Sequence, residues 1–208
     1  MVQVKICGLR NKEAIQAAVE ADVDFIGFVF AESKRRVTME EAVDLAQYVP
    51  DQVKKVGVFV NESIETIEEI AEAVGLDYVQ LHGDETPAFC EQLELPVIKA
   101  FEVKTEEDLD RVAAYNCAYY LLDSPGGKYR GGSGETFDWS LVQNNNFLTK
   151  KILLAGGLKV DNVEEAIKEV VPAGVDVSSG VETDGVKDLE KIKAFLDAAK
   201  KGDTNGEI

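Results

Sequence analysis

Lys5-Ile6-Cys7-Gly8 closes a strand-like run on a thiol, two residues after an ammonium and one before a glycine. A thiolate is both a base and a nucleophile. A free thiol titrates near ~8.5 and is only slightly ionised at neutral pH, and a nearby cation lowers that value. Strand side chains alternate, so Lys5 and Cys7 share a face. Lys5 is therefore placed to raise the thiolate fraction of Cys7; it is equally placed to be an interior ion-pair partner of Asp176. Leu121-Leu122-Asp123 ends a second run on a carboxyl, and Gln80-Leu81-His82 ends a third with an amide and an imidazole on one face. Polar groups pointing into a barrel are costly unless paired or functional. Cys90, on the apolar side of a helix, and Cys117, just before a strand, read as structural thiols. His82 is the only histidine, and with no second histidine and no paired cysteines a metal site is not expected.

Three further segments carry anion chemistry. Leu154-Ala155-Gly156-Gly157-Leu158 and Ser178-Ser179-Gly180-Val181-Glu182 follow the last two strand-like runs. Glycine lets backbone N–H groups approach an anion closely, and a helix N-terminus adds a favourable dipole. Gly156, Gly157, Ser179 and Gly180 are thus candidate phosphate-binding positions, with plain turns as the rival. Lys34-Arg35-Arg36 is either a solvated basic turn or a local funnel for a small anion. The loop from Asp123 to Gly134 has five glycines but lacks the Gly-Lys-Ser/Thr ending of a nucleotide-binding loop. It reads as a mobile lid or as a merely irregular connection.

The elements that must position these groups alternate along the chain. Strands are predicted at 3–7, 25–30, 55–60, 78–82, 97–101, 118–123, 152–155 and 175–178, with segments of 3.6-residue period between them. Thr38-Met39-Glu40-Glu41 is a capping box, Thr86-Pro87 an N-cap followed by proline, and Gly75 a C-terminal stop. Eight alternating units imply parallel pairing, and in about 200 residues they suit a closed (β/α)8 TIM barrel of the α/β class. A doubly wound open sheet is the runner-up. The barrel is expected over residues 1–201 as one catalytic domain, followed by a frayed polar tail at 202–208. In such barrels the site lies at the carboxyl ends of the strands, which gathers Cys7, Arg35, Gln80, His82, Asp123, Gly156, Asp176 and Ser178 into one ring.

Bulk properties narrow the partners. The chain has 208 residues, with 22 Lys and Arg against 39 Asp and Glu, a formal charge of −17. So acidic a protein repels polyanions, which argues against nucleic acid. No run of 18 apolar residues exists, so no membrane span is expected, and the N-terminus lacks an export signal. Three scattered cysteines make no disulfide framework and fit a reducing cytoplasm. With no long exposed apolar stripe in the sequence, a monomer is expected rather than a homodimer.

Lys5-Ile6-Cys7-Gly8, Gly27-Phe28-Val29-Phe30, Ser33-Lys34-Arg35, Val58-Phe59-Val60-Asn61 and Gln80-Leu81-His82-Gly83 resemble the phosphoribosylanthranilate isomerase family. So do Leu121-Leu122-Asp123, Gly131-Gly132-Ser133-Gly134, Phe137-Asp138-Trp139, Ala155-Gly156-Gly157-Leu158 and Asp176 to Glu182, in order from residue 1 to about 199. The resemblance implies an Amadori rearrangement of an anionic phosphosugar in tryptophan synthesis, without cofactor or metal. It implies Cys7 as general base, Asp123 as general acid and Arg35 on the anthranilate carboxylate. It also places Gln80, His82 and Asp176 on the substrate, and the seventh and eighth loops on the phosphate. A lysine stands where a proline is frequent before Arg35, and Arg36 adds a second cation. The rivals are indoleglycerol-phosphate synthase, which normally carries an extra N-terminal helical segment, ribulose-phosphate epimerases, whose metal site a lone histidine disfavours, and a non-catalytic phosphate-binding barrel.

Overall fold

Small polar residues start the helices by accepting the N–H groups that a helix leaves without partners. The Asn11 side chain accepts from Ala14 N at 2.8 Å. Thr38 and Glu41 form a reciprocal capping box, and Ser63 and Thr86 accept from Thr66 N and Phe89 N. Gly75 stops the third helix in the left-handed region, at φ 68, where a side chain would be strained.

The computed structural model of the chain describes residues 1–124, 136, 138–143 and 151–204. The first half runs β1 (Gln3–Cys7), α1 (Lys12–Glu20), β2 (Phe25–Val29), α2 (Met39–Ala46), β3 (Lys54–Phe59), α3 (Ile64–Val74), β4 (Tyr78–Leu81) and α4 (Pro87–Cys90). The second half runs β5 (Val97–Glu102), α5 (Glu106–Asp110), β6 (Tyr119–Asp123), α6 (Ser140–Gln143), β7 (Ile152–Leu154), α7 (Val163–Val170) and β8 (Gly174–Val177). A hairpin, β9 (Glu182–Thr183) with β10 (Val186–Lys187), precedes α8 (Leu189–Thr204). The eight long strands pair in order, all in parallel, and β8 closes on β1, with Lys5 opposite Asp176. The expected eight-stranded barrel is thus the observed one, and the open sheet is excluded.

Several strands end one residue earlier than the sequence predicts. Phe30, His82 and Ala155 still donate their N–H groups to the neighbouring strand at 2.9, 2.9 and 2.8 Å. They sit at the mouth, where the chain turns away after that bond and the ladder stops. Helix α8 runs to Thr204, and a Cβ at Gly202 would come 3.2 Å from Glu164 O and from Ile167 Cβ of α7. Residues 205–208 and most of the five-glycine loop lie outside the described residues.

Alternation divides the core in two. Val4, Ile6, Ile26, Phe28, Leu81, Leu122 and Leu154 face the helices in one continuous cluster. Phe25, Val56, Ile98, Leu121 and Leu153 fill the barrel interior. Phe25, Tyr78 and Tyr119, the first residues of β2, β4 and β6, pack edge-on or tilted with ring centres 5.7–6.0 Å apart. Tyr119 Oη donates to Gln3 Oε1 at 2.8 Å. These rings form an aromatic floor under the interior. At the start of β8 the same level holds Gly174, where a Cβ would come 2.7 Å from Gln3 O and Leu153 Cδ2.

Val171 ends α7 at φ 50, ψ 53 with 70% of its surface exposed. A β-branched residue is strained in that left-handed conformation, and its exposed side chain recovers little by packing. Val171→Asn is expected to stabilise the fold by about 1 kcal/mol, raising the melting midpoint by ~2–4 °C. A thermal melt showing no rise would contradict the assignment of strain at this cap.

Candidate functional site

Counting along each strand by two brings a ladder of polar residues into the barrel interior. Above the aromatic floor, β1, β4 and β8 contribute Lys5, Gln80 and Asp176, which are 0%, 2% and 9% exposed. At the mouth stand Cys7, His82, Asp123 and Ser178. Cys7 packs with Val29 and Val58 in a small apolar ring of its own. Gly27 of β2 makes room for this level: a Cβ there would lie 3.0 Å from Cys7 Sγ and 3.2 Å from Lys5 Nζ.

Lys5 Nζ donates to Asp176 Oδ1 at 2.8 Å across the β1–β8 seam. Burial pushes the Lys5 ammonium towards deprotonation, but the charges and hydrogen bonds of Asp176 and Cys7 together outweigh it, so the net shift is upward from the ordinary value. This corrects the simplest expectation for Cys7. Burial pushes the thiol up, Lys5 pulls it down and Asp176 pushes it up again. The net shift is upward from the ordinary 9.0. Lys5 helps the thiolate, but the dry surroundings and the adjacent carboxylate win.

Asp123 ends β6 with 4% of its surface exposed. Burial drives its carboxyl up and the Asp176 carboxylate adds to it; together they overcome a backbone hydrogen bond from Ser124 and hold the group at about 7. Neither cause, burial nor the Asp176 carboxylate, is visible from the residues around Asp123 in the chain. His82 Nε2 lies 3.6 Å from Asp123 Oδ2, and Gln80 Nε2 lies 3.5 Å from His82 Nδ1, a string from β4 to β6. Asp123 Oδ1 is buried without a hydrogen-bond partner among the described residues. Gly156, at φ 78, is fitted tightly beneath: a Cβ there would come within 2.1 Å of Ser124 Oγ and 2.9 Å of Asp123 Oδ1.

Arg35 reaches the same mouth from the loop after β2. Its Nε and Nη2 donate to Glu182 Oε1 and Oε2 at 2.5 and 3.0 Å, a two-point grip on one carboxylate. Glu182 also accepts from Lys187 Nζ at 2.8 Å and lies 3.4 Å from the exposed Lys34 Nζ. Burial pushes the Glu182 carboxyl up, but the hydrogen bonds and charges of Arg35 and Lys187 hold it at about 2. Arg36 is exposed and meets Val29 only through a backbone bridge. Gly8 lets the Arg35 stem pass, since a Cβ there would come 2.6 Å from Arg35 Cδ. The sequence reading named Arg35 but missed Glu182 and Lys187 as its neighbours; the only signal was their place in the segment after the last strand.

The two glycine loops flank this mouth. Gly156 and Gly157 take φ of 78 and 63, and Ser179 opens a short 3-10 turn after β8. Among the described residues, the loop bonds match no protein acceptor to the N–H groups of Gly156, Gly157 and Ser179. Gly180 lies so close to the seventh loop that a Cβ would clash with Leu158 O. A second buried pair was not foreseen: Lys99 Nζ lies 3.2 Å from Glu85 Oε2 and donates to Gly83 O at 2.9 Å, tying β5 to the loop after His82. Among the described residues, no group of three His, Cys, Asp or Glu is placed to hold a metal, and no helix is long and apolar enough to cross a membrane.

Comparison with known proteins now adds identity to geometry. A family model described as N-(5'phosphoribosyl)anthranilate (PRA) isomerase matches residues 4–198. A protein of Listeria welshimeri named N-(5'-phosphoribosyl)anthranilate isomerase is 51% identical over 197 residues, covering 95% of this chain and 98% of its own. The crystal structure of phosphoribosyl anthranilate isomerase from Thermotoga maritima superposes with a TM-score of 0.90 at 45% identity, covering 96% of this chain and 99% of its own. A phosphoribosyl anthranilate isomerase in complex with reduced 1-(o-carboxyphenylamino)-1-deoxyribulose 5-phosphate superposes at 0.87 with 42% identity, over 96% and 99% of the two chains.

The Asp123 shift has a consequence for stability. An unfolded aspartic acid titrates near ~3.9, so between that value and about 7 the folded state binds more protons than the unfolded one. The stabilisation is full below the unfolded value and is lost as pH rises through the folded one. Asp123→Asn escapes the loss, and its stability relative to the parent is expected to grow by about 2–3 kcal/mol between pH 5 and pH 8. Urea unfolding at the two pH values tests this, and a pH-independent difference would show that Asp123 is not held protonated by its surroundings.

Proposed function

The chain belongs to the N-(5'-phosphoribosyl)anthranilate isomerase family, and from that premise we propose that Cys7 is the general base of its reaction and Asp123 the general acid. The enzyme converts N-(5-phosphoribosyl)anthranilate to 1-(o-carboxyphenylamino)-1-deoxyribulose 5-phosphate in tryptophan biosynthesis. The conversion is an internal redox isomerisation: C2 of the sugar is oxidised, C1 is reduced, and no atoms are gained or lost.

The observation that carries the reading is Asp123 itself. A carboxyl that donates a proton near neutrality must hold one there, and Asp123 titrates at about 7. Its buried Oδ1 lacks a partner among the described residues, which suits an oxygen whose acceptor is the furanose ring oxygen. Protonation of that oxygen breaks its bond to C1 and leaves a Schiff base with the anthranilate nitrogen. The Cys7 thiolate then removes the proton from C2, the electron pair moves into the Schiff base, and the resulting enol gives the ketone. The string of His82 and Gln80 keeps the Asp123 carboxyl oriented, and with Asp176 these residues face the sugar hydroxyls.

Arg35 receives the anthranilate carboxylate. Its grip on Glu182 supports this role, because one side-chain carboxylate already fits the guanidinium fork at two points. Gly156, Gly157, Ser179 and Gly180 receive the phosphate through backbone N–H groups. The protein acts as a monomer in a reducing cytoplasm. Three free buried cysteines support the compartment, and a sparse set of large exposed apolar residues among those described (Met1, Tyr48, Val171, Val186 and Leu189) supports the oligomeric state.

Three measurements follow. Cys7→Ser and Asp123→Asn are each expected to fold and to lose at least ~10²-fold in kcat, read as the fading of substrate fluorescence; normal turnover in either removes that residue from the chemistry. Because the base titrates above the acid, the active pair, thiolate with carboxylic acid, is one arrangement of the singly protonated site. The kcat/KM profile is therefore expected to be a bell that rises through about 7 and falls above the ordinary thiol range; a maximum below pH 6 would be incompatible with it. Light scattering after gel filtration is expected to give one chain's mass, 22.7 kDa, and twice that mass would refute the monomer.

A further inference from the structure

Cys7 needs a cation that is not already cancelled. Lys5 is its nearest by sequence and bonds the thiol directly, but the charge of that ammonium is already matched by Asp176 at 2.8 Å. The charged side chains that bear on the thiol come from three elements: Lys5 on its own strand, Asp176 on β8 and Lys187 on β10. Among the described residues, β2 and β3 offer it Gly27, Val29 and Val58, none of them charged.

Lys187 has the geometry for the task. Its side chain is 4% exposed. Nζ donates to Ser178 O at 2.8 Å, lies 3.3 Å from Ser178 Oγ and donates to Glu182 Oε1 at 2.8 Å. Ser178 Oγ in turn donates to Cys7 O at 3.1 Å, so the ammonium and the thiol residue share one serine as hub. Glu182 does not cancel this charge as Asp176 cancels that of Lys5. It is divided among Lys187, Arg35 and Lys34, three cations on one carboxylate. The cluster therefore has a surplus of positive charge in a chain whose formal charge is −17.

We propose that Lys187 is a positioning residue for catalysis: its ammonium, fixed by Ser178 and Glu182, is the uncancelled cation that makes the Cys7 thiol available as a base. The inference deepens the assignment of Cys7 made above and rests on it. It also links the two ends of the substrate site, because Glu182 is held by Arg35 and by Lys187 at once. A substrate carboxylate that takes Arg35 from Glu182 leaves Glu182 shared between Lys187 and Lys34.

The test is the pH dependence of Cys7 alkylation by iodoacetamide, read on the Cys7 peptide by mass spectrometry, with circular dichroism as the check on folding. Lys187→Met is expected to move the midpoint up by about one pH unit and Glu182→Gln to move it down, while Lys187→Arg restores most of the parent value. At pH 7 the same upward shift is expected to lower kcat/KM about tenfold in Lys187→Met. A midpoint that stays at the parent value in Lys187→Met, or that fails to fall in Glu182→Gln, overturns the proposal. Where Lys187→Met does not fold, the Glu182→Gln midpoint decides alone. The alkylation needs no substrate, so it is read separately from turnover by Cys7→Ser, which tests the underlying assignment.

Discussion

The buried pair of Lys5 and Asp176 is the interaction on which the rest of this site depends. It spans the seam where the barrel closes, and both partners lie inside the barrel below the mouth. A charge pair so placed is costly to desolvate and more costly to break, because either partner alone would be a buried unpaired ion. Its yield is functional rather than structural. The carboxylate of Asp176 pushes both Cys7 and Asp123 towards protonation, and the ammonium of Lys5 pulls both the other way. One pair thus biases Cys7 and Asp123 together, and altering either member disturbs both.

Above that pair, charge of opposite sign is segregated. The acidic surplus is spread over helices and loops, whereas Arg35, Lys34 and Lys187 converge on Glu182 at the mouth. An anion approaching the chain meets a net negative charge, and three cations gathered on one carboxylate make the mouth a favourable docking place. The glycine loops border that region with backbone N–H dipoles, a surface that suits an anion and carries little side-chain bulk.

The barrel was legible in the sequence because each of its rules is local. Alternation marks the strands, Thr38 and Thr86 mark helix starts, and Gly75 marks a stop; none requires knowledge of distant chain. The mouth residues were legible for the same reason, as polar endings of apolar runs. What escaped the sequence is long-range. Arg35 and Glu182 are 147 positions apart, and the link from Lys187 to Cys7 passes through Ser178, so no spacing reveals either. The sign of the Cys7 shift escaped for another reason: Lys5 is visible two residues away, but burial is a property of the closed barrel, and burial is the larger influence. The strand ends were misplaced by single residues because an N–H bond at the mouth continues the ladder while the chain already departs from it.

The aromatic floor has a bearing on traffic. With Phe25, Tyr78 and Tyr119 packed across one end, the barrel interior is closed there, and a small molecule seated among the strand ends would enter and leave from the opposite side. Reactant and product would then contend for one side of the barrel, the side that carries Arg35 and the glycine loops.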